Sequence, residues 1–267
     1  MNNYYLYCEP ASGRFTLIPY DYDNTFGIDW FGTDWSQADP YTFPKVADGA
    51  RPLAERLLVV PAWRDLYSHF LDFYLNSVFR LPRWEERIDR LKTLITPAAE
   101  ADSFRTRDYG FDMADFNGSY SAGDYQNQHV KFGLKQFINR RSASLPGQLR
   151  SHRAAPTVYR IDLDPPHPAA GDSIHVAAAC FAGAGLQRVT LLFTPAGASS
   201  ATALPMQRRP VPGTKKVEEA DRWLGVLPPL PAGADGTLRI EAVDSLDQAR
   251  IFPLRKALAV KTTGGHN

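Results

Sequence analysis

The sequence predicts an α+β chain in two parts: a β-hairpin with helices over residues 1–150, then an all-β, immunoglobulin-like sandwich over 151–267. Three observations carry this reading. Tyr4-Tyr-Leu-Tyr-Cys8 and Arg14-Phe-Thr-Leu-Ile18 are β-prone, and Glu9-Pro-Ala-Ser-Gly13 supplies turn residues between them. Apolar residues between positions 53 and 138 recur at the helical period. Beyond 157 the apolar runs are short and broken by Pro, Gly and Asp, and 12 of the 21 prolines fall in this half. The polar stretch Leu149-Arg-Ser-His-Arg-Ala-Ala-Pro156 reads as the linker.

Element by element, residues 26–43 read as an irregular aromatic loop, because neither period survives there. Leu53, Leu57, Leu58 and Val60 form one helical face, and Trp63, Leu66, Tyr67, Phe70, Leu71, Phe73 and Tyr74 form a longer one. Trp84, Ile88, Leu91, Leu94 and Ile95 give a third helix; Val130, Leu134, Phe137 and Ile138 give the last. Strands are expected at 157–163, 173–181, 187–193, 223–226, 237–243 and 250–260. In the first of these the apolar residues alternate, as in a strand with one wet face.

Bulk properties narrow the function classes. The 267 residues carry a net charge of +1, which offers no electrostatic footprint for nucleic acid. No window approaches the roughly 20 apolar residues of a membrane span. Met1-Asn-Asn-Tyr-Tyr-Leu has neither a basic n-region nor an h-region, so no signal peptide is expected at this start. Two cysteines, Cys8 and Cys180, predict neither a disulfide framework nor a thiolate metal site.

The chemistry-bearing stretch is Phe15-Thr-Leu-Ile-Pro-Tyr-Asp21-Tyr-Asp23-Asn24-Thr25-Phe26-Gly27. An apolar strand ends in two carboxylates one residue apart, a common way to hold a divalent cation near a phosphate. Mg²⁺ prefers such oxygens and takes one or two of them from protein. The same string fits D-x-D-x-T, the nucleophile loop of haloacid-dehalogenase-type phosphatases, although no βαβ alternation follows it. An EF-hand is excluded, since Phe26 stands where the loop needs Gly and Gly32 where it needs Glu. The plain alternative is a solvated turn with Asp23 capping the backbone.

Asn3-Tyr-Tyr-Leu-Tyr, Pro10-Ala-Ser-Gly and the Phe15 to Gly27 motif closely resemble the core of the CotH (spore-coat protein H) kinase family. Arg51-Pro-Leu-Ala-Glu-Arg-Leu-Leu-Val-Val-Pro-Ala-Trp-Arg resembles that family's next segment, and Gly133-Leu-Lys-Gln-Phe-Ile-Asn-Arg-Arg its closing helix. The resemblance implies an atypical protein-kinase-like fold that uses Mg²⁺ and ATP to phosphorylate Ser or Thr on protein substrates. It places Asp21 and Asp23 at the kinase metal position, with Asn3 as the metal- and cofactor-binding Asn. Arg56, and less so Arg51, would contact phosphate. The catalytic Asp and the phosphate-binding Lys are expected upstream of Met1, in an N-terminal lobe that residues 1–150 lack. No kinase activity is therefore expected of this polypeptide alone. Kinship also favours an extracytoplasmic or spore-surface location. The rival readings are a non-catalytic surface, adhesion or scaffold module, and the phosphatase.

Other residues draw plainer expectations. Trp30, Phe31, Trp35, Tyr41 and Phe43 could stack on a ligand but are expected to close a core or cover the loop. Tyr4, Tyr5 and Tyr7 are expected to pack on the two hairpin faces. His69 and His129, without partners at ligand spacing, read as surface or boundary residues. Asp162, Asp164 and Asp172 read as solvated turn residues rather than Ca²⁺ ligands. The helical half is expected to leave apolar surface open, making the isolated chain poorly soluble.

Overall fold

In a computed structural model of the chain, residues 4–10, 15–42, 52–107, 109–254 and 256–263 are described. The helices in chain order are α1 (Pro52–Leu58), α2 (Pro61–Ser77), α3 (Leu81–Ala101), α4 (Met113–Gly118), α5 (Leu134–Ser144) and α6 (Val217–Ala220). The fold is a mixed α+β one, and by its contacts it divides into two units. Residues 1–49 and 79–148 make the first; 50–78 and 149–267 make the second.

The first unit opens with the expected hairpin, β1 (Tyr4–Cys8) and β2 (Phe15–Pro19), antiparallel from Tyr4↔Pro19 to Cys8↔Phe15. Every residue of both strands is exposed, Tyr5 at 62% and Phe15 at 70%. The expected packing of Tyr4, Tyr5 and Tyr7 is therefore not found. Among the described residues no layer covers either face of the two strands, so they have nothing to bury against. The unit's core is small: Leu81, Ile88 and Ile138, with Phe79, Trp84, Tyr120 and Leu134 packed on them. Pro82 enters the first turn of α3, where its missing N–H costs nothing. Helix α4, which the periodicity did not suggest, is set by capping rather than by an apolar face. Asp112 accepts from the Ala114 and Asp115 amides, and Asp115 reaches back to the Asp112 amide.

Among its described residues the second unit holds nine strands: β3 (Thr157–Asp164), β4 (Ile174–Phe181), β5 (Leu186–Pro195), β6 (Thr202–Pro205), β7 (Gln207–Arg208), β8 (Arg222–Leu227), β9 (Asp235–Asp244), β10 (Ala249–Phe252) and β11 (Leu258–Lys261). One antiparallel sheet runs β3-β4-β8-β7; the other runs β10-β9-β5-β6, with β11 also on β9. Ile174 and Val176 from the first sheet and Leu191, Leu238 and Ile240 from the second are fully buried in one common core. The run 250–260, expected as one strand, is split: Pro253 cannot donate to the ladder, and the chain pairs again only at Leu258.

Helix α2 belongs to this second unit. Asp65, 3% exposed, accepts bonds from the His152 amide (2.6 Å), the Ala154 amide (2.9 Å) and His152 Nδ1 (3.0 Å). The stretch read as a linker is thus bound to a helix, and Pro156 at its end is fully buried. Glycine at 183 leaves room for this contact, since a Cβ there would lie 3.0 Å from Asp65 Oδ2. One turn along α2, His69 Nε2 lies 2.7 Å from Asp221 Oδ2, which also accepts from the Tyr159 hydroxyl at 2.7 Å. The His69 ring stacks on Phe181 with centroids 4.1 Å apart. Burial, and then the bond to Asp221, push the Tyr159 phenol well above its ordinary range. His69 is half-buried, a boundary residue as its spacing suggested, and it is bonded to Asp221 far along the chain.

Candidate functional site

Strand β2 ends at Pro19, and the chain reverses through Asp21 in the left-handed region, φ 56°. This turn brings the Asp21 and Asp23 carboxyl groups together. A side-chain hydrogen bond to Asp23, and then the negative charge of Asp23, hold the Asp21 carboxyl above the ordinary carboxylate range. Two carboxylates held this close repel each other when both are ionised, and a cation between them relieves that repulsion. Asn24 Nδ2 donates to Asp23 Oδ2 at 3.1 Å, while Asn24 Oδ1 accepts the Trp30 indole N–H at 3.0 Å. Asp23 is therefore oriented by its neighbour. Two carboxylates suffice for Mg²⁺ when phosphate and water complete its shell. Among the described residues no group of three or more His, Cys, Asp or Glu could hold a metal.

Asn3, Phe43 and Arg51 fall outside the described residues. Arg56 is exposed on α1, in the second unit. Asp162 pairs with Arg160 Nε at 2.6 Å, and Asp172 accepts the Ala169 amide at 2.8 Å, both local turn and strand contacts.

Beyond the acidic pair the chain tucks inward. Gly27, at φ 89°, must be glycine: a Cβ there would meet the Phe132 and Phe137 rings at 2.7 Å. Phe26 packs edge-on against Phe137 at 6.2 Å. A cavity of about 320 Å³ opens beside this turn, lined by Asn24, Thr25, Phe26, Ile28, Trp35, Phe137 and Arg141 among others.

The aromatic loop owes its shape to Asp29, which sequence reasoning missed. Its carboxylate is 3% exposed and accepts the Phe31 amide (2.9 Å), the Thr33 amide (2.8 Å) and the Trp35 indole (2.9 Å). Burial alone would raise its pKa; the bonds from Thr33, Phe31 and Trp35 outweigh burial and lower it. Asp34 and Asp39, spaced five and ten residues on, cap the Ser36 and Tyr41 amides in the same manner. The signal was an Asp every five residues in a stretch without period. Trp30 and Phe31 are 49% and 55% exposed and do not close a core, because the Asp29 turn points the chain outward there. His129 stacks face to face on Trp30 at 3.9 Å, and its backbone carbonyl accepts the Asp29 amide at 2.8 Å.

Comparison with known proteins adds the following. A family model described as CotH kinase protein matches residues 1–145. Over 108 residues the chain is 31% identical to the inner spore coat protein H of Bacillus subtilis strain 168, a stretch covering 40% of this chain and 28% of that protein. The chain thus spans little more than a quarter of that relative's length. Among solved structures, a cycloalternan-degrading enzyme from Trueperella pyogenes in complex with cycloalternan aligns at 17% identity and TM-score 0.31, over 42% of this chain and 16% of that one. CopC from Methylosinus trichosporium OB3b aligns at 9% identity and TM-score 0.27, over 42% of this chain and 98% of that one. Scores this low carry no argument.

Proposed function

Because the chain belongs to the CotH kinase protein family, we propose that residues 1–150 are the C-terminal part of an atypical protein-kinase-like domain that phosphorylates Ser or Thr on protein substrates. The single observation that carries the reading is the acidic pair at the exit of β2, with each carboxyl against the other. Asp21 and Asp23 would hold Mg²⁺; Asn3 as a metal- and cofactor-binding residue and Arg56 as a phosphate contact are assigned on the family resemblance alone. When bound, the ion neutralises charge on the ATP phosphates. The protein's own part is orientation: Asn24 fixes Asp23, and the left-handed turn at Asp21 brings the second carboxyl alongside. The proton-accepting Asp and the phosphate-gripping Lys are assigned to other parts of the whole protein. Residues 151–267 are read as an immunoglobulin-like domain.

Two measurements test this. Mg²⁺ added at millimolar concentration is expected to lower the Asp21 carboxyl pKa, followed by ¹³C NMR, because the cation favours the ionised pair. Asp23→Asn is expected to bring Asp21 back toward its ordinary value without metal and to abolish the Mg²⁺ response. An Asp21 titration that ignores Mg²⁺ would reject the metal site. In the second measurement, radiolabelled ATP is expected to leave no phosphate on the isolated chain, since positioning and charge stabilisation need the remaining parts. Robust labelling that depends on Asp21 and Asp23 would show the chain to be a kinase by itself.

A non-catalytic surface or scaffold module is the second reading, favoured by the two-sheet core being much larger than that of the unit holding the acidic pair. The phosphatase reading finds little support, since every paired strand among the described residues is antiparallel. The relative's name puts that protein in a spore coat, and a spore-surface or extracytoplasmic site is proposed here on that kinship alone. No described helix is long and apolar enough to cross a membrane.

A further inference from the structure

Beside the acidic pair lies a second feature that phosphoryl transfer does not use. Trp30 and Tyr109 are each 49% exposed, with ring centroids 5.4 Å apart. His129 lies under both, stacked on Trp30 at 3.9 Å and meeting Tyr109 edge-on at 4.8 Å; Phe111 closes the back of the cluster, 5.5 Å from His129. The indole N–H is already spent on Asn24 Oδ1, so what Trp30 offers outward is its π surface. The same Asn24 binds Asp23, which ties the rings to the carboxylates through one amide. Residues 15–42 contain five Asp and no Lys, Arg or His. Lys131, close in sequence to His129, turns its ammonium group to the Gln128 carbonyl.

We propose that Trp30 and Tyr109, with Asp23 alongside, form a binding platform for an organic cation, a guanidinium or alkylammonium group carried by a basic polypeptide segment. Ring quadrupoles attract a cation that lies over their faces, and Trp is the strongest such surface. Nearby carboxylates add Coulomb attraction, and an anionic ligand would be repelled. Charge complementarity thus selects a basic partner over a purely apolar one, for which the acids would be a desolvation cost. The inference needs neither metal nor nucleotide, so it stands or falls apart from the kinase reading.

Titration calorimetry of the whole chain with an arginine-rich peptide, without Mg²⁺ or ATP, tests the platform. Binding is expected to weaken about tenfold in Trp30→Ala and in Tyr109→Leu. It should be largely kept in Trp30→Phe, which also guards against a folding defect, and should weaken as salt rises. The citrulline counterpart, neutral and nearly the same shape, is expected not to bind. Free arginine amide binding with the same Trp30 dependence would support the site and show that a single cationic group suffices. Equal binding of the citrulline peptide would overturn the proposal, as would peptide binding that ignores both ring substitutions. Trp30-dependent binding of a neutral methyl glycoside in place of the basic peptide would make the platform a sugar site and equally overturn it.

Discussion

Asp29→Ala is expected to destabilise the first unit by about 3 kcal/mol, because one substitution removes the acceptor for three donors and leaves them facing a shielded gap. The donors are the Phe31 and Thr33 amides and the Trp35 indole. Asp34 and Asp39 do not replace the carboxylate, since they are turned to the Ser36 and Tyr41 amides. The loss should extend beyond stability: Trp30 is carried on this turn, and its stack on His129 depends on the turn's direction. The pH behaviour gives an independent check. The Asp29 pKa is lower folded than unfolded, so its contribution is complete above the ordinary value of 3.8 and is lost as pH falls through the lower folded value. Wild-type stability should therefore fall with acid in that window, and Asp29→Asn, which cannot titrate, should show a flatter acid limb and about half of the alanine penalty. Chemical denaturation at neutral and acidic pH, read through residues of the first unit, measures both. An alanine variant of wild-type stability would mean that water satisfies the three donors.

The sequence made the regular elements legible because their signals are local. Short β-prone runs between turn residues gave most of the strands, and the 3.6-residue period gave α2 and α3, the latter extending past Ile95 to Ala101. The hairpin followed from β-prone runs flanking a turn. What stayed hidden was held by side chains acting on the backbone, which leaves no period. Helix α4 rests on a capping box and the aromatic loop on repeated Asp turns, and neither depends on an apolar face. Long-range polar partners were equally hidden: Asp65 with His152, and His69 with Asp221, are separated by 87 and 152 residues. Nothing in the spacing of α2 announced that its polar side would bind the polar stretch before β3. The acidic pair was legible as a motif, while the exposure of Trp30 was not, because exposure is decided by the direction of a turn that only Asp29 sets.

The two units differ so much in buried apolar mass that they should not melt as one. Leu191 and Ile240 are fully buried in a core that draws on both sheets of the second unit, whereas the first unit's core centres on Leu81, Ile88 and Ile138. Burial of apolar area is the main favourable term in folding, so the first unit is expected to open at lower denaturant. Hydrogen exchange should show it: amides of α3 and α5 exchange through an opening of lower free energy than those of β4, β5 and β9. Leu191→Ala sharpens the contrast. It leaves a cavity between sheets that cannot collapse freely, at a cost of about 3–4 kcal/mol. That loss should appear only in the second unit's transition, together with α2, which Asp65 and His69 bind to it. The exchange of α3 and α5 should be unchanged. If Leu191→Ala lowers protection equally in α3, α5 and the sheets, the two units unfold together and the expected difference between them is refuted.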